Sequence, residues 1–127
     1  MSDLENRIAS ATPAELIIML YERAIRDIEN GLPLMVIEGD PTSMSQAVHN
    51  LVHAQQIILE LKHSLNMEKG GNLALNMDRI YEYVNYRLLE AITNRKPEPA
   101  SECVSLLKEL MESWKSMSRS QSSGLHF

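Results

Sequence analysis

The residues that could do chemistry are few, and their spacing decides what they could do. Glu60-Leu-Lys-His63 has the Glu-x-x-His spacing that sets a carboxylate and an imidazole one helical turn apart, as in ferritin-like bundles that hold two metal ions. Such a centre also needs a second Glu-x-x-His and two further inward carboxylates. The chain has no second copy of the motif, and on a helical wheel Glu60 and His63 lie away from the apolar seam of their own segment. His49 and His53 are four residues apart and could chelate a metal beside a third ligand. No third ligand stands at a recognisable spacing, so both are expected to be solvated on a polar face. Ser101, Cys103 and Ser105 have no Gly-x-Ser-x-Gly turn around them. Gly70-Gly71 is not followed by Lys and Ser or Thr, so it is no phosphate loop. Cys103 falls in an apolar repeat position and reads as a small core residue. The pattern predicts no catalytic residue, no cofactor and no metal.

The elements that carry these residues are all helical. Thr12-Pro13-Ala14-Glu15 opens the first, with Thr12 as N-cap, Pro13 where a missing N–H is harmless, and Glu15 at the positive helix end. At about 100° per residue, Ile17, Leu20, Tyr21, Ala24, Ile25 and Ile28 share one face. Gly31-Leu32-Pro33 interrupts this pattern and Gly39-Asp40-Pro41 stops it, which predicts a kinked helix from Pro13 to about Glu38. A second helix is expected from Thr42 to Leu65, where Met44, Ala47, Leu51, Ala54, Ile58, Leu61 and Leu65 step by three and four. Asn66 to Gly71 reads as a loop. A third helix follows from Asn72 to Asn94, with Leu73, Met77, Ile80, Tyr81, Val84, Leu88 and Ala91 inward. Lys96-Pro97-Glu98-Pro99 connects it to a fourth, from Ala100 to Met117, lined by Cys103, Leu107, Leu110, Trp114 and Met117. Four amphipathic helices with short loops predict an all-α, antiparallel up-and-down four-helix bundle. It is expected at residues 13–117, between an N-terminal segment (1–12) and a serine-rich, mobile tail (118–127).

Composition narrows the function. The 127 residues are 44% hydrophobic and 23% charged, as in a globular domain. A formal net charge of -5 repels phosphate backbones and argues against nucleic acid. One cysteine, no apolar signal core at the N-terminus and no run of about 20 apolar residues predict a cytoplasmic protein without membrane insertion. Eight methionines against 5% aromatics suit a core or surface that repacks around a partner.

Each helix needs one apolar stripe for the core, yet the chain carries more. Leu16 and Met19 lie outside the main stripe of the first helix. Val52, Ile57 and Leu59 flank the seam of the second. Leu75, Tyr83, Tyr86 and Leu89 lie off the inward face of the third. Such residues can line grooves that receive a partner helix. Leu16, Met19, Ile57, Leu75, Tyr83, Tyr86 and Leu89 are therefore the candidate partner-binding residues. The tyrosines stand foremost, since each offers an apolar ring and a hydroxyl that can stay wet. Leu4 and Ile8 join them as apolar residues of the lead-in segment, expected to dock on the bundle and partly occupy the same groove.

Several segments resemble one family. Thr12-Pro13-Ala14-Glu15-Leu16-Ile17-Ile18-Met19-Leu20-Tyr21-Glu22 looks like the opening helix of the FliS family, the flagellin-specific export chaperones. Ala54-Gln-Gln-Ile57-Ile58-Leu-Glu60-Leu61 resembles its second helix, and Ser64 through Gly71 its inter-helix loop. Leu73-Ala74-Leu75-Asn76-Met77, Ile80-Tyr81-Glu82-Tyr83 and Arg87-Leu88 resemble its third helix, and Leu107 to Trp114 its last. The motifs keep the family's order from about Ile8 to Trp114. Asp3 stands where the family often has a tyrosine, and Pro33 interrupts a stretch that is normally plain helix. The resemblance implies a cytoplasmic chaperone, not an enzyme. It would bind the C-terminal amphipathic segment of flagellin, prevent premature polymerisation and keep the client competent for flagellar type III secretion. The flagellar export gate would be a further partner, and the chaperone a monomer or homodimer. The residues alone leave a second class open, a helical adaptor or regulator with another helical partner.

Overall fold

The computed structural model describes residues 3–120, apart from the side chains of Leu4, Arg7, Ile8, Ala9 and Ser120. Among them five helices follow one another: α1 (Asp3–Ser10), α2 (Pro13–Met35), α3 (Pro41–His63), α4 (Met67–Asn94) and α5 (Glu98–Ser120). No strand occurs among the described residues. Helices α2 to α5 form the expected antiparallel four-helix bundle, and cross-links between neighbours set its register. Asp27 meets His53 between α2 and α3. Gln55 and Lys62 of α3 bond Asn85 and Asp78 of α4. Val84 and Arg87 of α4 meet Cys103 and Glu102 of α5. Trp114 and Lys108 of α5 return to Tyr21 and Glu29 of α2.

Local chemistry explains the helix ends. Thr12 caps α2, its side chain accepting from Glu15 N at 3.1 Å. Asp40 caps α3, accepting from Thr42 N at 3.0 Å and Ser43 Oγ at 3.0 Å. These bonds, those from Thr42 first, hold its carboxyl below the usual carboxylate range. Pro41 also restricts Asp40 to extended backbone, which suits an N-cap.

The structure corrects three boundaries. First, α2 runs through Pro33 but stops at Met35, short of Glu38, leaving Val36 and Ile37 exposed. Proline forfeits one backbone bond here, so the final turn tolerates it. Gly39, at φ +77°, then reverses the chain. Second, the expected loop at 66–71 is partly helical. Asn66 caps a turn beginning at Met67, and the break sits at Gly71 (φ 55°, ψ -134°), a conformation open essentially to glycine. Third, α5 continues to Ser120, beyond Met117. The rest of the expected mobile tail, residues 121–127, lies outside the described residues.

The core is apolar, with no buried charged residue among those described. At its centre Trp114 Nε1 donates to Tyr21 Oη at 2.9 Å, and the Tyr21 and Tyr81 hydroxyls share a 2.6 Å bond. Burial, more than any other influence, raises both phenols, that of Tyr81 to about 12. Cys103 is buried among apolar neighbours, and burial pushes its thiol up to about 12, as in an inert core cysteine.

Candidate functional site

The outer surface of the bundle is not uniform. Between α2 and α3 it is polar: His53 pairs with Asp27, and Arg23, Asn30, His49, Gln56 and Glu60 are polar, exposed neighbours on these two helices. His53 stays partly solvated, as expected, with its side chain 41% exposed, and its partner is a carboxylate 26 positions away in sequence. His49, Glu60 and His63 are exposed as expected. Among the described residues no three His, Cys, Asp or Glu side chains converge on a potential metal position.

Between α3 and α4 the outer surface carries exposed apolar residues on both sides of a polar line of contact. Gln55 and Lys62 reach α4 directly, so Val52 and Leu59, each three residues before one of them, lie just outside the contact. On α4 the contacting residues are Asp78, Glu82 and Asn85, and Leu75, Tyr86 and Leu89 lie on the same flank. Val52, Leu59, Leu75, Tyr86 and Leu89 are all exposed, Tyr86 at 61% and Leu89 at 51%. The antiparallel register sets Val52 level with Leu89, and Leu59 level with Glu82. The result is a shallow seam about four helical turns long on α4, from Leu75 to Leu89, with apolar residues along its walls.

The floor of the seam is polar. Lys62 Nζ bonds Asp78 at 3.0 Å and Glu82 at 3.2 Å. These partners, Asp78 first, raise the ammonium above the ordinary lysine range. Gln55 Nε2 donates to Asn85 O, and Asn85 Nδ2 donates back to Gln55 O, each at 3.2 Å. Asn85 Oδ1 is buried without a hydrogen-bond partner. An unmet buried acceptor costs about 1–3 kcal/mol.

The other candidate residues are distributed elsewhere. Ile57 is corrected: at 3% exposure it belongs to the core, because α3 packs against both α2 and α4 and buries a stripe wider than one seam. Leu73, expected inward, is 42% exposed, since it closely follows the Gly71 break, where α4 starts to overrun its neighbours. Tyr83 is exposed one helical turn before Tyr86, on the side of α4 toward α5. Its hydroxyl has a protein partner at the exposed surface: it donates to Glu102, which also receives Arg87 Nη2 at 2.7 Å and Nε at 3.0 Å. The bond to Glu102 raises the Tyr83 phenol, and the bonds from Tyr83 and then Arg87 lower the Glu102 carboxyl. Leu16 is exposed near the start of α2. Met19 is half-buried and lines a cleft of about 270 Å³ with Ser10, Glu15, Ile18 and Glu22. The side chains of Leu4 and Ile8 lie outside the described residues. Sequence reasoning placed Val52 and Leu59 beside the seam without naming them as site residues. Their spacing of seven was the available signal.

A closed apolar core with a second set of apolar residues on the outer flank of one helix pair is an arrangement that can receive a partner helix. No helix among the described residues is long and apolar enough to cross a membrane. Comparison with known proteins gives the family. The pattern described as "Flagellar protein FliS" matches residues 1–121, and the chain belongs to the FliS family. It is 31% identical over 115 residues to the flagellar secretion chaperone FliS of Salmonella typhimurium, covering 91% of this chain and 83% of that one. It is 30% identical over 122 residues to the chaperone of the same name from Bacillus subtilis, covering 96% and 87%. Flagellar secretion chaperone FliSB of Pseudomonas aeruginosa is 30% identical, covering 91% and 88%.

Proposed function

We propose that this chain is a cytoplasmic export chaperone for flagellin. It takes up the C-terminal amphipathic segment of the newly made client in the seam between α3 and α4. The observation that carries this reading is the exposed strip of Val52, Leu59, Leu75, Tyr86 and Leu89 on a bundle whose core is already filled. Family membership supplies the flagellar context. A disordered client segment folds into a helix on such a strip and buries there the face it would otherwise use to assemble. The free energy needed to order the client moderates affinity, which keeps release to the flagellar export gate feasible. The seam needs no metal, cofactor or second subunit in this scheme, so a monomer suffices.

Seeded polymerisation of purified flagellin tests the proposal. An equimolar amount of the chain should suppress growth and form a 1:1 complex. Flagellin lacking its C-terminal segment should not bind. Growth at the uninhibited rate in excess chaperone would exclude this role.

A further inference from the structure

The solvent-side ridge of α4 is apolar at both ends and charged in the middle. Leu75, Arg79, Glu82, Tyr86 and Leu89 follow one another in steps of four, three, four and three, the spacing by which one helix presents a stripe to another. At about 100° per residue all five fall within about 80° of helical rotation, and all five are exposed. The two charges at the centre are not equivalent. Glu82 is answered from within the protein, by Lys62 Nζ at 3.2 Å. Arg79 is not: no ion pair or hydrogen bond joins its side chain to any described residue. Its neighbour Asp78 is also taken by Lys62, at 3.0 Å. The other arginine of α4, Arg87, is held by Glu90 at 3.0 Å and Glu102 at 2.7 Å. Arg79 is thus an open, solvent-facing cation between the apolar residues of the proposed client site. A charge in such a place selects partners: it attracts an opposite charge and rejects an apolar or like-charged residue.

We propose that Arg79 is a specificity-determining residue of the client site, its guanidinium pairing with an aspartate or glutamate of the bound helix. This rests on the seam being the client site. Leu75 and Tyr86 lie on either side of Arg79, about 6 Å and about 10.5 Å away along the helix axis. A client helix lying along the ridge therefore carries its acidic residue about one turn from the apolar residue that meets Leu75, and about two turns from the one that meets Tyr86. The planar guanidinium can donate to both carboxylate oxygens at once, which fixes this register. The net charge of -5 makes the preference local. The chain as a whole repels an acidic segment, and only a carboxylate that falls at Arg79 is attracted.

The test uses the full chain and a synthetic peptide of the flagellin C-terminal segment, with each acidic residue replaced in turn by lysine. Dissociation constants are measured for wild type, Arg79→Glu and Arg26→Glu, the last changing the net charge equally at an exposed position of α2. Because the chain is acidic, most lysine replacements should leave binding unchanged or strengthen it. One should weaken binding to wild type by about tenfold, and that same peptide should bind Arg79→Glu more tightly than the unmodified peptide does. Arg26→Glu should rank the peptides as wild type does. If Arg79→Glu folds poorly, Arg79→Gln decides: it should erase the difference between the acidic and lysine forms at that one position. The proposal is overturned if no replacement weakens binding to wild type, or if Arg26→Glu rescues the weakened peptide as well as Arg79→Glu does. Tyr86→Ser separates such a failure from failure of the client reading. Affinity lost in Tyr86→Ser alone keeps the seam as the client site and overturns only the role of Arg79. Wild-type affinity in both Tyr86→Ser and Arg79→Glu, or no binding to wild type at all, overturns the client reading and this proposal with it.

Discussion

The four tyrosines divide between two regions that ask opposite things of the same side chain. Tyr21 and Tyr81 lie at the centre of the bundle, where their hydroxyls bond each other and Tyr21 also receives Trp114. Tyr83 and Tyr86 stand on the outside of α4, one helical turn apart, with Tyr83 turned toward α5. Tyr81 and Tyr83 are only two positions apart, yet about 200° of helical rotation sends one inward and the other to the surface. In the core, every polar atom of the aromatic centre is answered from within the protein, so those residues report on stability. On the α3 flank of α4, apolar area is left uncovered, so the residues there report on binding. Under the proposed function, folding and recognition fall to different faces of one helix.

The core side of this comparison breaks most severely at Trp114. Trp114→Ala should lower stability by about 3–5 kcal/mol, measured by urea unfolding, while the protein that remains folded binds its client normally. A near-neutral change would mean the aromatic centre does not hold the bundle together. Alkali gives a smaller and reversible challenge to the same centre. Burial raises the Tyr81 phenol to about 12, above its unfolded value near 10. The stabilisation is therefore fully present below about pH 10 and is lost as pH rises through about 12, on the order of 2–3 kcal/mol. Tyr21 shifts in the same direction. Phenolate absorbance from these two residues should appear together with loss of helical circular dichroism. Their ionisation in a fully helical protein would contradict the buried pair.

The bundle was legible in the sequence because its signal is local. Steps of three and four name Leu51, Ala54, Ile58 and Leu61 as core, and Thr12 and Pro13 announce a helix start without reference to any other segment. The features that sequence reasoning missed are those that depend on a distant partner. Ile57 looked peripheral on its own helix but is buried because α3 has two neighbours. The pairing of His53 with Asp27 on α2 leaves no signal within either helix. The hydroxyl of Tyr83 meets Glu102, 19 residues further on. The candidate site shows the same division. Leu75, Tyr86 and Leu89 could be identified by their phase on one helix. That they share a seam with Val52 and Leu59, over a floor made by Gln55 and Asn85, follows only from the register between helices.

The central claim is that the uncovered flank of α4 binds the client and is dispensable for the fold. Its most direct test is the triple variant Leu75→Ser, Tyr86→Ser, Leu89→Ser, titrated calorimetrically with a flagellin C-terminal peptide and melted in parallel with wild type. Exposed positions change stability within about 0.5 kcal/mol each, so the melting temperature should move little. One aromatic hot spot alone is worth about 2 kcal/mol or more, so affinity should fall by at least about 30-fold. Wild-type affinity in the folded triple variant would contradict the account, and so would a collapse in stability with binding unchanged.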